Sequence, residues 1–280
     1  MTPTTSAPVS VLISTHAGER PDRLQAALVS IASQTLPPRE IVLVCDGFVG
    51  PQQERVIKDV ATRYAEIVWR IVRLVANVGL GPALNAGLAE CRQPYVARMD
   101  SDDIAVDDRL AEQLTFLSSH PEVDLLAGWH AEFRDGPDQV LRIKTTPEGH
   151  AEIVRKLIWR NVISHPTIML RRRSLLDLGG YRSIPYLEDY DLYMRLIARG
   201  GRLHALQRPL VKVRTNSDQH RRRGGVAYLK SELRFRRDCY RRGNLSFIEF
   251  AASVGGYAIF RLMPASIRSA SYRLVRVGAG

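Results

Sequence analysis

The chain has 280 residues, of which 45% are hydrophobic and 25% charged, so it can bury a sizeable core in one large soluble domain or two intimate halves. It contains no run of 18 apolar residues, and we therefore expect no membrane-spanning helix. Its formal net charge of +11 indicates an anionic partner, such as nucleic acid, a sugar nucleotide or an acidic membrane surface.

The first hundred residues alternate short apolar runs with helical patterns. Strands are predicted over residues 9–15, 41–45, 67–75 and 95–99. Helices are predicted over residues 20–33, 52–65 and 82–91. Because helices of this length connect the strands, we expect a parallel sheet with right-handed crossovers.

The pattern becomes less regular after Asp103. Helices are predicted over residues 107–118, 150–160 and 188–199. Strands are predicted over residues 123–129, 167–171 and 202–215. The prediction is an α/β catalytic domain over residues 8–216, with halves at 8–104 and 105–216, followed by a helical extension over residues 217–280.

The C-terminal extension is strongly basic. Eight arginines lie between residues 220 and 242, and an apolar stretch over 247–260 is too short to span a bilayer unaided. Pro264 can open a last helix, in which an apolar stripe from Ile267 to Val277 accompanies further arginines. Such a helix suits a membrane interface, although its stripe could instead pack on the domain's own core.

The cysteine pattern and the N-terminus bear on the cellular compartment. The cysteines, Cys45, Cys91 and Cys239, lie far apart, which argues against a zinc site or a disulfide framework and fits a reducing compartment. Residues 1–8 lack the apolar core of a secretion signal. We therefore expect a cytoplasmic protein.

The run from Tyr95 to Asp103 ends on three carboxylates, Asp100, Asp102 and Asp103. Carboxylates suit a hard divalent cation, but alone they also suit a helix cap. Three other polar clusters also follow predicted strands, at residues 15–19, 46–47 and 77–81. Because the carboxyl ends of parallel strands share one edge of a sheet, we expect all four clusters to meet there, where such sheets bind nucleotides.

Several segments in this order resemble the inverting, family-2-type glycosyltransferases of the GT-A fold, over roughly residues 8–216. The resemblance is strongest to bacterial enzymes that build cell-surface polysaccharides. The matching segments are VSVLISTHAGERPDRLQAALVSIASQT, EIVLVCDG, NVGLGPALNAGL, YVARMDSDDI, DDRLAEQLTFLSSHPEVDLLAG, SHPTIMLRR and GGYRSIPYLEDYDLYMRLIARG. The resemblance implies a hexosyltransferase-type enzyme with a mostly parallel sheet flanked by helices.

The resemblance assigns a donor side, where a nucleoside-diphosphate sugar, UDP- or dTDP-linked, would bind. Asp46 would contact the base, Thr15 and Glu19 would line the nucleoside pocket, and Asp100 would face the ribose. Asn77 belongs to the donor side by its cluster, and Arg98 could pair with the carboxylates or reach the diphosphate. Asp102 would bind Mg²⁺ or Mn²⁺ with Asp103 nearby, and a metal-binding histidine of some relatives would correspond to His220. The cation would offset charge on the leaving diphosphate.

The resemblance also assigns an acceptor side. Asp189, beside Glu188, would be the base that takes the proton of the acceptor hydroxyl, in a single displacement that inverts configuration. Without the upstream motifs, these acids would be read as the first turn of a helix, complementing its dipole, and Asp191 is expected to be structural. His165 could contact the acceptor or be a satisfied structural histidine. A polyprenyl-linked saccharide is the expected acceptor, with the protein peripheral at the inner face of the cytoplasmic membrane.

Two other classes of protein compete with this interpretation. A nucleotidyltransferase shares the sheet and the carboxylate pair, but the loop after the first strand, THAGER, is partly acidic and poor in glycine. A nucleic-acid-binding protein would account for the arginines, but they carry no aromatic interleaving or recognition-helix pattern. We therefore expect no nucleic acid partner.

Overall fold

The computed structural model describes residues 6–215 and 226–262. The strands are β1 (Ala7–Thr15), β2 (Pro38–Cys45), β3 (Val68–Arg73), β4 (Tyr95–Asp100), β5 (Ile104–Ala105), β6 (Val123–Phe133), β7 (Arg142–Lys144), β8 (Met169–Arg171) and β9 (Arg202–Arg214). The helices are α1 (Pro21–Ala32), α2 (Pro51–Arg63), α3 (Leu80–Glu90), α4 (Arg109–Ser119), α5 (His150–Leu157), α6 (Arg172–Asp177), α7 (Glu188–Ala198), α8 (Val226–Arg241) and α9 (Phe247–Leu262).

The strands of the described region form one sheet in the order β3-β2-β1-β4-β8-β6-β9-β5, with β7 paired to β6. The predicted parallel arrangement is present in β3-β2-β1-β4 and between β6 and β9. Strand β8 lies between these two groups and runs antiparallel to both β4 and β6. The parallel strands β1 to β4 therefore end at one edge, as the sequence predicts.

Alternation along the strands divides the core between the two faces of the sheet. Ile41, Leu43 and Cys45 pack in the cluster that also contains residues of α1, α2 and α4. Val42 and Val44 point to the opposite face and pack with α3, α5 and α7. Because strand side chains alternate between faces, a buried run of this kind needs helices on both sides.

The first two crossover helices have clear start signals. Pro21 and Pro51 occupy the first helical positions of α1 and α2, where a missing N–H costs no helical hydrogen bond. Three short elements, β5, β7 and α6, are absent from the sequence prediction, and β6 extends four residues beyond its predicted end at Trp129. Pairing with β7 and β9 holds this extension in the sheet.

Helix α8 packs on the catalytic domain. Phe235 and Cys239 are buried in the same cluster as residues of α5 and α7. The Arg236 guanidinium is also buried, and it donates to the backbone oxygens of Ile158 and Trp159, the latter at 3.0 Å. In this part of the extension, at least one arginine therefore holds the fold together rather than facing a partner.

A buried carboxylate ties α8 to α7. Asp191 is fully buried and accepts from Arg195 at 2.7 Å, from Arg242 at 3.1 Å and from Arg182 at 3.4 Å. Arg182 also pairs with Asp238 of α8 at 3.0 Å. Buried charges are stable only when they are paired in this way, which agrees with the structural role expected for Asp191.

The described helices are not membrane spans. Within residues 6–215 and 226–262, no helix is both long and apolar enough to cross a bilayer. The predicted amphipathic helix after Pro264 lies outside the described residues, as does His220.

Candidate active site

Asp46 organises the loop between β3 and α3. Its two carboxylate oxygens accept the backbone N–H groups of Val78 at 2.7 Å and Gly79 at 3.1 Å. The Asn77 amide donates to the Asp46 carbonyl at 3.2 Å. The second and third predicted clusters therefore meet, with Asp46 buried between them. Its predicted contact with the nucleobase remains a prediction, which would have to use the remaining lone pairs of the carboxylate.

The first loop is held against the second by a residue that the sequence analysis missed. The Gln53 amide at the start of α2 donates to the carbonyls of His16 and Glu19, each at 2.9 Å. The Thr15 carbonyl accepts the Asp46 N–H at 2.8 Å, whereas the buried Thr15 hydroxyl has no partner. A glutamine in a helix carries no sequence signal for this role, because its amide acts only once the loop lies beside it.

The acidic cluster at the end of β4 brings several carboxylates together. Burial, the charge of Asp100 and that of Glu19 raise the pKa of Asp102 to about 7. Asp103 is buried and accepts the Arg214 N–H at 2.9 Å with one oxygen, while its other oxygen has no partner. Burial and the charges of Asp100 and Asp102 hold the pKa of Asp103 well above its usual range. This crowding of negative charge is what a cation would relieve.

Arg98 lies beneath this cluster. Its side chain is 3% exposed and forms an ion pair with Asp100, whereas its Nε and Nη1 atoms have no partner. Of the two roles considered for Arg98, the structure therefore shows the pairing with a carboxylate. Burial and then the Arg98 charge lower the pKa of His165 well below its usual value.

His165 is a buried residue next to this arginine. Its Nε2 atom lies 3.1 Å from the Tyr181 hydroxyl, and the two rings pack edge to face. This is the geometry of a satisfied structural histidine, and the alternative contact with an acceptor remains a prediction.

The second acidic site lies at the start of α7. The Asp189 carboxylate accepts from the Asn161 amide at 2.8 Å and from the Tyr190 N–H at 2.7 Å. Burial and the charge of Asp189 raise the pKa of Glu188, and the charge of Arg98 opposes this rise. Asn161 is a second residue that the sequence analysis missed, because it lies in an irregular segment without periodicity.

The two acidic sites adjoin each other. A Cβ atom at Gly81, the last residue of the cluster over residues 77–81, would lie 3.2 Å from Cγ of Glu188. The Arg98 charge acts on the pKa values of Asp102, Asp103 and Glu188. The acidic groups at the end of β4 and at the start of α7 are therefore both within electrostatic range of one buried arginine.

Comparison with known proteins identifies the family. The sequence profile of Glycosyl transferase family 2 matches residues 10–179. The chain belongs to this family. It is 36% identical over 270 residues to the amylovoran biosynthesis glycosyltransferase AmsE of Erwinia amylovora, covering 96% of this chain and 99% of the relative. This family-2 enzyme is therefore a glycosyltransferase, and the nucleotidyltransferase and nucleic-acid-binding alternatives are not supported.

Further relatives support the fold and the kind of enzyme. An Escherichia coli UDP-Gal:alpha-D-GlcNAc-diphosphoundecaprenol beta-1,3-galactosyltransferase is 32% identical over 95% of both chains. The solved structure of S. aureus TarS 1-349 in complex with UDP-GlcNAc has a TM-score of 0.67, at 19% identity over 89% of this family-2 chain and 71% of the TarS 1-349 chain. Mannosyltransferase PcManGT from Pyrobaculum calidifontis, in complex with GDP-Man and Mn²⁺, also has a TM-score of 0.67, at 17% identity over 99% of this chain and 77% of its own. These structural likenesses confirm the GT-A fold.

No complete protein-made metal cage is present in the described region. Residues 6–215 and 226–262 contain no group of three or more His, Cys, Asp or Glu side chains arranged to hold an ion. Divalent ions such as Mg²⁺ are often bound by one or two carboxylates together with substrate phosphates. Asp102, and Asp103 with its unpartnered oxygen, fit that second kind of site.

The raised pKa of Asp102 predicts a pH-dependent effect on stability. Because this pKa is higher in the folded chain than in the unfolded one, ionising Asp102 destabilises the fold, and the cost grows as the pH rises from about 4 to about 7. In EDTA at pH 8, Asp102→Asn should therefore raise the Tm by about 3–6 °C. The difference should shrink as the pH is lowered to 5 in a series of melting curves. If the wild type were more stable than Asp102→Asn in EDTA at pH 8, this result would contradict the raised pKa of Asp102.

Proposed function

We propose that the enzyme transfers a sugar from a UDP- or dTDP-linked donor to a polyprenyl-linked saccharide, with inversion, during polysaccharide biosynthesis. The observation that carries this proposal is the pair of acidic sites near the buried Arg98, one at the end of β4 and the other at the start of α7. One site suits a metal-bound diphosphate and the other suits a base. The proposed mechanism requires both sites to reach substrates bound in the same place.

On the donor side, the carboxylate of Asp102, with Asp103 beside it, would hold the divalent cation, Mg²⁺ or Mn²⁺. The cation supplies positive charge that stabilises the leaving diphosphate. Glu19, Asp46 and Asn77 would line the nucleoside pocket formed by the first three loops. Arg98 orients Asp100 through their ion pair.

On the acceptor side, Asp189 would act as the general base. Asn161 and the Tyr190 N–H hold its carboxylate in a fixed orientation. The acceptor oxygen attacks the anomeric carbon and gives its proton to Asp189. The bond from that carbon to the diphosphate oxygen breaks at the same time, and its electron pair leaves with the nucleoside diphosphate. One displacement inverts the anomeric configuration.

The relatives support the proposed substrates. The Escherichia coli relative is named for a UDP-galactose donor and a diphosphoundecaprenol-linked acceptor, and its alignment extends over 95% of this chain. The solved TarS complex contains UDP-GlcNAc. AmsE is named for amylovoran biosynthesis. These names motivate a UDP-linked sugar and a lipid-linked saccharide as the first substrates to test.

The proposal is tested by product analysis. Purified enzyme is mixed with UDP-galactose, MnCl₂ and GlcNAc-α-diphosphoundecaprenol in detergent micelles. We expect UDP and a β-linked disaccharide, identified by its anomeric NMR coupling, and no product when EDTA replaces MnCl₂. Release of pyrophosphate, an α-linked product or full activity in EDTA would each contradict one part of the mechanism. An inactive wild-type enzyme would contradict the proposed donor and acceptor pair.

We also propose that the enzyme works at the inner surface of the cytoplasmic membrane. The net charge of +11 and the exposed Phe247 and Ile248 of α9 support this position. The full-length chain should sediment with vesicles containing about one third anionic lipid and stay in solution with neutral vesicles. Equal sedimentation with both kinds of vesicle would contradict an electrostatic contact.

A further inference from the structure

Tyr186 has an unusual backbone conformation two residues before Glu188. The Leu187 N–H donates to the Ile184 carbonyl at 3.0 Å, which closes a four-residue turn with Pro185 and Tyr186 at its centre. Tyr186 has a φ of 72°, and it is the one residue other than glycine with a positive φ in the described part of the chain. Proline followed by a positive φ is the pattern of a type II turn, in which the second central position favours glycine or asparagine.

A tyrosine is an unfavourable choice for this position. A bulky side chain in the left-handed region is strained, and such strain concentrates at functional sites. The strain is not offset by full burial, because the Tyr186 side chain is 49% exposed. Glycine at this position would make the fold more stable, so the exposed ring of Tyr186 needs an explanation other than folding.

Helix α8 of the C-terminal extension contacts the Tyr186 ring. Its centroid lies 5.8 Å from that of Tyr228 in α8, and Tyr228 is partly buried against the core. At the other end of the same loop, Arg182 pairs with Asp238 of α8. Helix α8 therefore fixes both ends of the segment 182–186.

This segment also contacts both halves of the active site. The Tyr186 backbone lowers the pKa of Glu188 and so opposes the rise that burial causes. A Cβ atom at Gly81 would lie 3.3 Å from the Arg182 carbonyl oxygen. The segment 182–186 thus lies next to Gly81 and Glu188, and Tyr186 is three residues before the proposed base Asp189.

We propose that Tyr186, supported by Tyr228, is a platform on which a pyranose ring of the acceptor saccharide stacks beside Asp189. This inference rests on the proposed function. An aromatic face attracts the C–H groups of a sugar's apolar face, and an exposed, rigidly held ring loses little conformational freedom on binding. Stacking there would orient the acceptor hydroxyl toward the base and determine which acceptor sugar is accepted.

The variant Tyr186→Asn tests the platform, because asparagine tolerates a positive φ and removes the ring without imposing strain. With UDP-galactose and GlcNAc-α-diphosphoundecaprenol, we expect the KM for the acceptor to rise by about tenfold, on the order of one stacking contact. The KM for UDP-galactose and its slow hydrolysis without acceptor should stay unchanged. The Tm should stay within about 2 °C of the wild type. Tyr186→Phe should behave as the wild type.

Tyr240→Ala is the matched control, since Tyr240 is a similarly exposed tyrosine at the far end of α8. An unchanged acceptor KM in Tyr186→Asn would overturn the platform while leaving the proposed function intact. A rise in the donor KM would place the ring at the donor instead, and an equal rise in Tyr240→Ala would assign the effect to the lipid or detergent. If the wild type makes no product with this pair, the proposed function fails first and the platform with it.

Discussion

Replacing Asp189 with asparagine should lower kcat by about 10²–10⁴-fold, the usual contribution of a positioned general base. The substitution keeps the size of the side chain and one oxygen that can accept the Asn161 amide, which now lies 2.8 Å from the carboxylate. It removes the carboxylate that we propose as the acceptor of the proton. Steady-state rates at saturating donor and acceptor measure the effect.

Donor binding and folding provide the controls for this experiment. Because Asp189 is proposed to act on the acceptor and not on the donor, the affinity for UDP and the Tm should be close to those of the wild type. Asp177→Asn, at a largely exposed carboxylate at the end of α6, should leave every parameter unchanged. Full activity in Asp189→Asn would remove this residue from the catalytic role, whereas a large fall in Tm would make the kinetic result structural.

For Asp102→Asn, we expect a loss of at least about 10²-fold in kcat/KM, because removing a metal ligand costs several kcal/mol of transition-state stabilisation and each 1.36 kcal/mol is a factor of ten. Mn²⁺ should no longer strengthen the binding of UDP, as measured by calorimetry. The same variant should be more stable than the wild type in EDTA at pH 8. This combination of lower activity with higher stability separates a functional carboxylate from a structural one.

Comparison of Asp103→Asn with Asp102→Asn distinguishes the loss of a metal ligand from the simple removal of a negative charge. Asp103→Asn should weaken the contact with the Arg214 N–H, because an amide oxygen is a weaker acceptor than a carboxylate. If Asp102→Asn retains Mn²⁺-dependent UDP binding, then Asp102 is not the ligand. Full activity in Asp102→Asn would contradict the proposed donor site as a whole.

The sequence predicts the fold and the position of the site better than the contacts within the site. Residues 41–45 are apolar throughout and residues 9–15 are largely so, which favours helices on both faces and therefore a parallel sheet. This topology alone brings the clusters at Asp46 and Asn77 to one edge. By contrast, β5 has two residues and β7 has three, and such short strands depend on partners distant in sequence.

The contacts within the site depend on the tertiary structure. No pattern in the chain shows that Asp46 accepts two backbone N–H groups, or that Arg98 is buried against Asp100. Gln53 and Asn161 have no local signal, since each contacts a segment more than 25 residues away along the chain. Tyr186 could have been noticed, because Pro185 favours a turn in which the next residue is usually glycine.

Asp191 contacts Arg182 and Arg242. These contacts affect how deletions of the C-terminal extension should be interpreted. Arg242 reaches this buried carboxylate from the end of α8, and Asp238 holds Arg182, which belongs to the acceptor-side loop. A protein truncated near Thr215 would lose both contacts, so its inactivity would not measure membrane attachment. Point substitutions at the exposed Phe247 and Ile248 would test attachment while leaving the catalytic domain assembled.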